Sequence, residues 1–381
     1  MIEFKGVSKV YPGGKIALHN INFKIDDGQF IAFIGTSGSG KTTCMRMINK
    51  MIEPSSGEVL INGQNIKNLN DVELRRSIGY VIQQIGLMPH MTIFENIVMV
   101  PRLLKTPEEE IKKIAETMIK KVDLPVEYLS RYPKELSGGQ QQRIGVIRAL
   151  SANQDIILMD EPFGALDPIT RENLQILVKN LQMELGKTFI FVTHDIDEAF
   201  TLADKIAIMD GGQLIQYDTP DNILKAPAND FVKNLLGEKR LDSAKFDYLP
   251  VEEVMIRNPK FIHQYKTVRE TMEMMHKSRV DTLFLVDDDS VLTGLVDVFD
   301  IRSSRDKDAQ ISSYMMPVQS LNRKTPLKDA IFYINNLGYR NMPIVDEDLH
   351  LIGVVTRASV MDIIYSGFLG DYKPTSNTVE V

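Results

Sequence analysis

The chain has 381 residues, of which 43% are hydrophobic and 25% charged, an ordinary composition for a globular protein with room for two or three domains. Its net charge of −7 argues against a dedicated nucleic-acid binder, because a phosphate backbone selects a basic protein face. A single cysteine, Cys44, excludes an internal disulfide, and no apolar run reaches the ~20 residues that a membrane-spanning helix needs. We therefore expect a soluble cytoplasmic protein.

The first 64 residues alternate strand patterns with glycine-rich turns. Strands are predicted at Ile2–Val10, Ala17–Ile25, Phe30–Ile34 and Glu58–Ile61, and Asn62-Gly63 is a strong hairpin-turn signal.

Beyond these strands the pattern changes to an alternation of helices and strands. Apolar residues with helical spacing predict a helix from Pro107 to Val122. Strands are then predicted at Ile156–Met159, Phe189–Val192 and Ile206–Met209, with helices between them. This alternation predicts a parallel sheet with helices on both faces.

Residues 35–42 read Gly-Thr-Ser-Gly-Ser-Gly-Lys-Thr, between a predicted strand and a predicted helix, which is the context of a P-loop. Glycines let backbone N–H groups converge on phosphates, and the helix N-terminus adds partial positive charge. We expect Lys41 to neutralise the β and γ phosphates of ATP and Thr42 to ligate Mg²⁺. The ATP-binding residues predicted here are Gly35, Thr36, Ser37, Gly38, Ser39, Gly40, Lys41, Thr42 and Thr43.

An acidic pair, Asp160 and Glu161, lies at the end of the apolar strand that begins at Ile156. Asp160 ends this strand, where a carboxylate can reach the metal ion. Glu161 comes next and is the candidate general base that polarises the attacking water.

Between the loop and the acidic pair stands Leu136-Ser137-Gly138-Gly139-Gln140. With these three motifs in this order, residues 1–235 closely resemble ATP-binding-cassette (ABC) ATPases. The resemblance implies an α/β fold, in which a P-loop (RecA-like) domain carries antiparallel β and helical subdomains.

The resemblance also implies roles for further residues. Tyr11 would stack on adenine, and Gln83 would contact Mg²⁺ and the attacking water. Asp167 would join the two ATP sites of a dimer, and His194 would contact the γ-phosphate. The signature residues Ser137, Gly138, Gly139 and Gln140 would cap the γ-phosphate held by the opposite subunit, so that two copies sandwich ATP as a homodimer.

Around residues 237–250 the pattern weakens into a predicted linker, and an internal repeat with an offset of 58 to 59 residues follows it. The repeats resemble an α+β tandem pair of CBS modules, at 251–306 and 311–369. The polar segment 370–381 is predicted to be a disordered tail.

CBS pairs commonly bind adenine nucleotides between their modules, and the cleft residues implied here are Val280, Thr282, Tyr339, Asn341, Ile352 and Arg357. Two positions depart from the family motif: Asp297 stands where a hydroxyl is usual, and Ser359 stands where Asp is usual. Because a carboxylate repels phosphates, these departures disfavour simple AMP or ATP binding. A resemblance to osmolyte importers that carry such modules implies cyclic di-AMP, a dinucleotide, as the leading candidate. The alternative is that the pair is only a dimerisation platform.

A cassette followed by two CBS modules most resembles the ATPase subunit of importers for glycine betaine, carnitine or choline. That resemblance implies a place on the cytoplasmic face of the membrane, transmembrane permease subunits and an extracellular solute-binding protein as partners, and no nucleic acid. Two alternatives remain: an importer ATPase for another small solute, and a soluble nucleotide-sensing ABC protein.

Overall fold

A computed structural model gives the fold of residues 1–82, 86–164 and 166–361. The chain divides into two compact units between Glu238 and Lys239. Gln83, the predicted tail and the end of the second repeat lie outside the described residues. Among the residues that are described, no helix is both long and apolar enough to cross a membrane.

The first unit begins with an antiparallel sheet and continues into a second, mixed sheet. Its strands are β1 (Ile2–Val10), β2 (Ile16–Ile25), β3 (Phe30–Gly35), β4 (Ser56–Ile61), β5 (Gln64–Asn65), β6 (Ile78–Val81), β7 (Ile156–Asp160), β8 (Thr188–Val192), β9 (Lys205–Asp210) and β10 (Gln213–Asp218). Its helices are α1 (Lys41–Ile48), α2 (Asp71–Ser77), α3 (Ile93–Ile97), α4 (Met99–Leu103), α5 (Glu108–Lys121), α6 (Gly138–Leu150), α7 (Pro168–Leu185), α8 (Ile196–Leu202), α9 (Pro220–Lys225) and α10 (Asp230–Leu236).

The antiparallel sheet has the strand order β2-β1-β4-β5. Asn62 and Gly63 connect β4 to β5 with φ angles of 50° and 78°, the left-handed conformation that the predicted tight hairpin requires. This sheet packs on the mixed sheet through a core that includes Phe4, Phe33 and Cys44. Burial raises the pKa of the Cys44 thiol, in keeping with the packing role that its position after the loop suggests.

The mixed sheet has the order β10-β9-β3-β8-β7-β6. Strands β3, β6, β7, β8 and β9 are parallel, as predicted, but the edge strand β10 is antiparallel to β9. Parallel pairing aligns the carboxyl ends of neighbouring strands at one edge. Asp160 is consequently paired with Val192, and Gly35 with Met209.

The predicted linker 237–250 is largely helical. It contains helix α11 (Glu238–Asp247), in which Ala244 is buried. Beyond Glu238 this helix belongs to the second unit, where Phe246 and Leu249 pack on the hydrophobic core of the second repeat. Its many charged residues hid the helix in the sequence, because a helix with few apolar positions gives little periodic signal.

The second unit contains two small sheets with equivalent elements. These are β11 (Ile256–Arg257), β12 (Phe261–His263), α12 (Val268–Ser278), β13 (Thr282–Val286), β14 (Leu292–Asp297), α13 (Val298–Ile301), β15 (Leu321–Asn322), α14 (Leu327–Asn336), β16 (Asn341–Val345) and β17 (Leu351–Thr356). One sheet has the order β12-β13-β14 and the other β11-β17-β16-β15.

The backbones of the two repeats pair with each other at two places. Strand β11, at the start of the first repeat, pairs with β17 of the second, and Met316, near the start of the second repeat, forms an isolated bridge with Leu295 of the first. A Cβ atom on Gly353 would overlap the side chain of Met255, and one on Gly294 would overlap that of Met315. The first repeat therefore adds a strand to the sheet of the second, and the second adds a bridge beside the sheet of the first.

Candidate functional site

The loop from Gly35 to Thr42 joins β3 to α1, and its backbone can be formed only with glycine at two positions. Gly35 has φ 141°, and a Cβ atom there would overlap the carbonyl oxygen of Met209. Gly40 has φ 101°, and its Cβ would lie 2.5 Å from the carbonyl oxygen of Ala17. These glycines let the chain turn tightly into the N-terminus of α1, where unpaired N–H groups favour anions.

Lys41 folds back over this loop. Its ammonium donates hydrogen bonds to the carbonyl oxygens of Gly35 (2.9 Å) and Thr36 (2.8 Å). Only 8% of the residue is exposed. Burial lowers the pKa of Lys41, and the negative charge of Glu161 opposes that shift. The loop thus holds a partly desolvated cation among its backbone groups, which suits a polyphosphate.

The other loop residues differ in exposure. Thr36, Ser37 and Gly38 are exposed, whereas Ser39 is buried. The Thr36 hydroxyl donates to Asp210 at 2.9 Å, which ties the loop to the end of β9. Thr43 is half-buried on α1.

Asp160 at the end of β7 is 7% exposed and faces α1 with both carboxylate oxygens. The Thr42 hydroxyl lies 3.3 Å from Oδ1, as expected for two ligands of one metal ion. Oδ2 accepts from Arg46 at 3.2 Å and from the Tyr80 hydroxyl at 3.4 Å. Sequence reasoning missed Arg46 and Tyr80, although the i, i+4 spacing of Thr42 and Arg46 on a helix placed both on one face.

Glu161 and His194 also meet at this edge of the sheet. Nδ1 of His194 lies 3.4 Å from Oε2 of Glu161, which is an ion pair when the imidazole is protonated. Glu161 has φ 47°, and its N–H donates to the carbonyl of Val192 at 3.0 Å. The His194 side chain is 70% exposed and that of Glu161 is 28% exposed. A carboxylate and an imidazole at the mouth of a phosphate loop suit proton transfer.

The Ser137–Gln140 segment forms the first turn of α6. The Ser137 hydroxyl accepts from the N–H of Gln140, whose side chain accepts from the Ser137 N–H in return. Gly139 packs so closely against Thr170 that a Cβ atom on this glycine would overlap the Thr170 methyl group. The signature segment therefore contacts the start of α7.

Asp167 caps α7 by accepting from the N–H of Thr170 at 3.1 Å. Hydrogen bonds from Thr170 lower the pKa of Asp167. Asp167 thus lies beside the signature segment of its own chain.

Tyr11 directly follows β1 and begins a short loop, in which its N–H donates to Lys15 at 2.9 Å. The Lys9 ammonium lies 5.3 Å from the centre of its half-buried ring. Of the catalytic and metal-binding residues predicted from the sequence, Gln83 lies outside the described residues.

In the second unit, the starts of β13 and β16 are joined by an ion pair between Asp281 and Arg340, at 3.0 Å. Thr282 and Asn341 come next on these strands and are half-buried. The pair brings together two of the predicted cleft residues, one from each repeat.

The remaining cleft residues are bound more closely to their own repeats. Val280 packs on the hydrophobic core of the first repeat, and Tyr339 and Ile352 pack on that of the second. Tyr339 meets the ring of Tyr333 edge-on at 5.7 Å, while Arg357 is exposed.

The two positions that depart from the CBS motif have structural partners. Asp297 accepts from the N–H of Phe299 at 2.9 Å and caps α13. Ser359 exchanges hydrogen bonds with Thr356, donating its backbone N–H to the Thr356 hydroxyl at 3.1 Å. Both side chains thereby stabilise the turns after β14 and β17.

Comparisons with known proteins bear on both units. The family model described as "ABC transporter" matches residues 18–164, and the CBS domain model matches 251–306 and 311–366. The carnitine transport ATP-binding protein of Listeria monocytogenes is 52% identical over 100% of this chain and 96% of its own length. The choline transport ATP-binding protein of Bacillus subtilis is 51% identical over 98% of both chains. A solved dimeric ATP-binding cassette, bound to ADP and phosphate after hydrolysis, is 38% identical with a TM-score of 0.52, and covers 58% of this chain and 99% of its own.

Proposed function

The chain belongs to the family of ABC transporter ATP-binding proteins that carry a tandem CBS pair, and from this premise we propose that it drives the import of quaternary-ammonium compatible solutes. The solutes in question are glycine betaine, carnitine and choline. The observation that carries the proposal is the match along the whole chain, through both units, to ATPases named for carnitine and choline transport. A cassette match alone would not select a solute.

ATP binding is assigned to residues 35–43, with Tyr11 as the adenine contact. The glycine-restricted turn and the buried Lys41 ammonium support this assignment, because both fit a polyphosphate. Thr42 and Asp160 would hold Mg²⁺, together with Gln83. The ion would supply positive charge against the phosphate oxygens.

Hydrolysis is assigned to Glu161 as general base and His194 as its neighbour at the γ-phosphate. The 3.4 Å approach of these two side chains supports the assignment. We place Ser137, Gly138, Gly139 and Gln140 opposite the loop of a second copy, with Asp167 at the junction. The dimeric state of the similar cassette bound to ADP and phosphate supports this arrangement.

The partners that follow are permease subunits in the membrane and an extracellular solute-binding protein, with this chain on the cytoplasmic face. Residues 1–236 would be the ATPase domain, and 251–306 and 311–369 the two CBS modules. The direct test is to purify the chain with its co-expressed permease, reconstitute it, and measure ATP hydrolysis with each solute. Stimulation by carnitine, glycine betaine or choline is expected. Stimulation by an unrelated solute alone would contradict the assignment.

For the CBS pair we propose binding of an adenine nucleotide, with cyclic di-AMP as the leading candidate and inhibition as its effect. The Asp297 carboxylate disfavours an ordinary mononucleotide, because it would repel a phosphate beside β14, whereas a dinucleotide could lie across a dimer of CBS pairs. Val280, Tyr339 and Ile352 would give apolar and stacking contacts, and Thr282, Asn341 and Arg357 would meet polar edges. The ligand can bias the cassette only by its difference in affinity for the two states of the protein.

Calorimetry on the full chain, titrated with AMP, ATP and cyclic di-AMP, tests this second proposal. The Lys41→Ala variant should be used, so that the ATP site contributes little heat. Binding of cyclic di-AMP is expected. Binding of AMP alone would refute the dinucleotide, and no binding would favour the dimerisation platform.

A further inference from the structure

The turn between β8 and α8 presents His194, and both neighbours of this histidine are anchored. The N–H of Thr193 donates to the carbonyl of Phe33 at 3.2 Å, which fixes the turn to β3. Asp195 caps α8 by accepting from the N–H groups of Asp197 at 2.8 Å and Glu198 at 3.3 Å. The backbone that presents the exposed imidazole is therefore held at both neighbouring residues.

Inside this turn, the Thr193 hydroxyl makes two hydrogen bonds. It accepts from the N–H of Asp195 at 3.0 Å and donates to Oε2 of Glu198 at 2.5 Å. Thr193 is 2% exposed and Glu198 is 6% exposed. Burial raises the pKa of Glu198, and the Thr193 hydroxyl opposes the shift. A buried carboxyl group is costly, so its presence under the turn calls for a role.

Glu198 also reaches α7, since Nε2 of Gln175 lies 3.4 Å from its Oε1. We propose that Glu198 is a positioning residue for ATP hydrolysis, which holds the Thr193 hydroxyl and thereby orients the turn that presents His194 to Glu161. The inference rests on the roles proposed above for His194 and Glu161. Glu198 acts through the turn, and a displacement of ~1 Å in such a turn is enough to slow a reaction up to about 100-fold.

Arg171 adds a second link on the outer side of the same turn. Its guanidinium lies 3.9 Å from Oδ2 of Asp195 and donates to the carbonyl of Leu166 at 3.1 Å. Leu166 directly precedes Asp167. The turn that carries His194 is thus connected through α7 to the turn that carries Asp167.

The test compares two buried threonines at opposite ends of β8. Thr193→Val removes the hydroxyl beside His194 with little change of shape. Thr188→Val removes a hydroxyl that accepts from Gly28 at 3.0 Å and lies at the other end of the strand. In the full chain, we expect Thr193→Val to lower kcat by about 10- to 100-fold with an unchanged KM for ATP, and Thr188→Val to leave kcat unchanged. Equal kcat values for the two variants would overturn the proposal.

Conservative variants separate positioning from folding. Thr193→Ser keeps the hydroxyl, and Glu198→Gln keeps an oxygen that accepts from it, so both should retain kcat. Glu198→Met removes both oxygens and should lose kcat as Thr193→Val does. If Glu198→Met instead keeps the wild-type kcat, the proposal is wrong.

The decisive measurement repeats Thr193→Val in the His194→Ala background. Because the hydroxyl acts through His194, it should have no further effect on kcat there. A full additional loss in that background would overturn the positioning role. Wild-type kcat for His194→Ala alone would instead refute the proposed role of His194 itself.

Discussion

In the first unit the candidate site is assembled from the ends of β3, β7 and β8, whereas in the second the candidate cleft residues come from two repeats joined by the Asp281–Arg340 ion pair. Lys41 and Asp160 are buried. Lys41 donates hydrogen bonds to the backbone of its own loop, and Asp160 accepts them from α1. Arg340 and Asp281 are 66% and 49% exposed, and ion pairs this exposed contribute little stability. The first site is thus held by buried contacts before any ligand arrives, whereas the ion pair beside the second adds little stability of its own.

The largest effect should follow from Glu161→Gln, which keeps the shape of the side chain and removes its basicity. We expect hydrolysis to fall by about 10²–10⁴-fold while ATP binding is retained, because Lys41 and the loop are untouched. Steady-state hydrolysis and nucleotide binding by the full chain measure this. Glu172→Gln, on the exposed face of α7, is the control and should be neutral. Wild-type turnover in Glu161→Gln would contradict the assigned base.

A partial recovery of hydrolysis, smaller than the loss above, tests whether the first site needs a second copy. Lys41→Ala and Ser137→Arg should each abolish hydrolysis, but an equal mixture should regain part of it, because each mixed dimer has one intact composite site. Activity is measured before and after mixing. The control is each variant mixed with itself. Hydrolysis that stays absent in a mixture shown to contain mixed dimers would argue against the shared site.

For the second unit we expect stability rather than chemistry to respond. Gly353→Ala places a methyl group against Met255 and should destabilise this unit by about 1–3 kcal/mol. Thermal unfolding of the full chain measures the loss, and basal hydrolysis should not change. Met255→Ala in the same chain makes room for the new methyl group and should recover part of the stability. An absence of recovery would show that the two residues are not in contact.

The smallest effect distinguishes the two repeats. The Thr267 hydroxyl caps α12 by accepting from the N–H of Glu270, whereas α14 begins at Leu327 with no side-chain cap. Thr267→Ala should cost about 1 kcal/mol, and the equivalent Thr325→Ala should be nearly neutral. Equal losses in thermal unfolding would contradict the difference between the repeats.

The same cap has a pH dependence. Hydrogen bonds from Lys266 and Thr267 lower the pKa of Glu270 from 4.5 to about 2. Because the pKa is lower in the folded state, the stabilisation is present above pH 4.5 and is lost as the pH falls towards 2. In Glu270→Gln, unfolding should be less sensitive to acid over this interval.

Much of the fold was predictable because its signals are local. Strand β1 has the predicted bounds, and the Asn62-Gly63 hairpin follows from the backbone freedom of those two residues. The comparisons confirm the ABC and CBS resemblances and the fold class. The antiparallel direction of β10 and the pairing of β11 with β17 were missed, because pairing between distant segments leaves no periodic signal in either one.

The sequence indicated which residues could form the candidate ATP site, but not the neighbouring residues that contact them. The loop and the acidic pair carry their chemistry in their residue types, and the parallel sheet then brings them together. Arg46, Tyr80 and Glu198 are ordinary helix or strand residues in the sequence, and their contacts appear only when α1, β6, β7 and α8 are packed. The roles assigned to the site residues stay predictions.

The backbone pairing between the CBS repeats has a consequence for how such proteins arise by recombination. A gene segment that carried only the first repeat would end before β17 and leave β11 without its partner, and it would expose Gly294 where Met315 now covers it. An unpaired strand edge is prone to join other chains. The pair is therefore the smallest piece that can be inherited, fused to another enzyme or deleted without leaving an open edge.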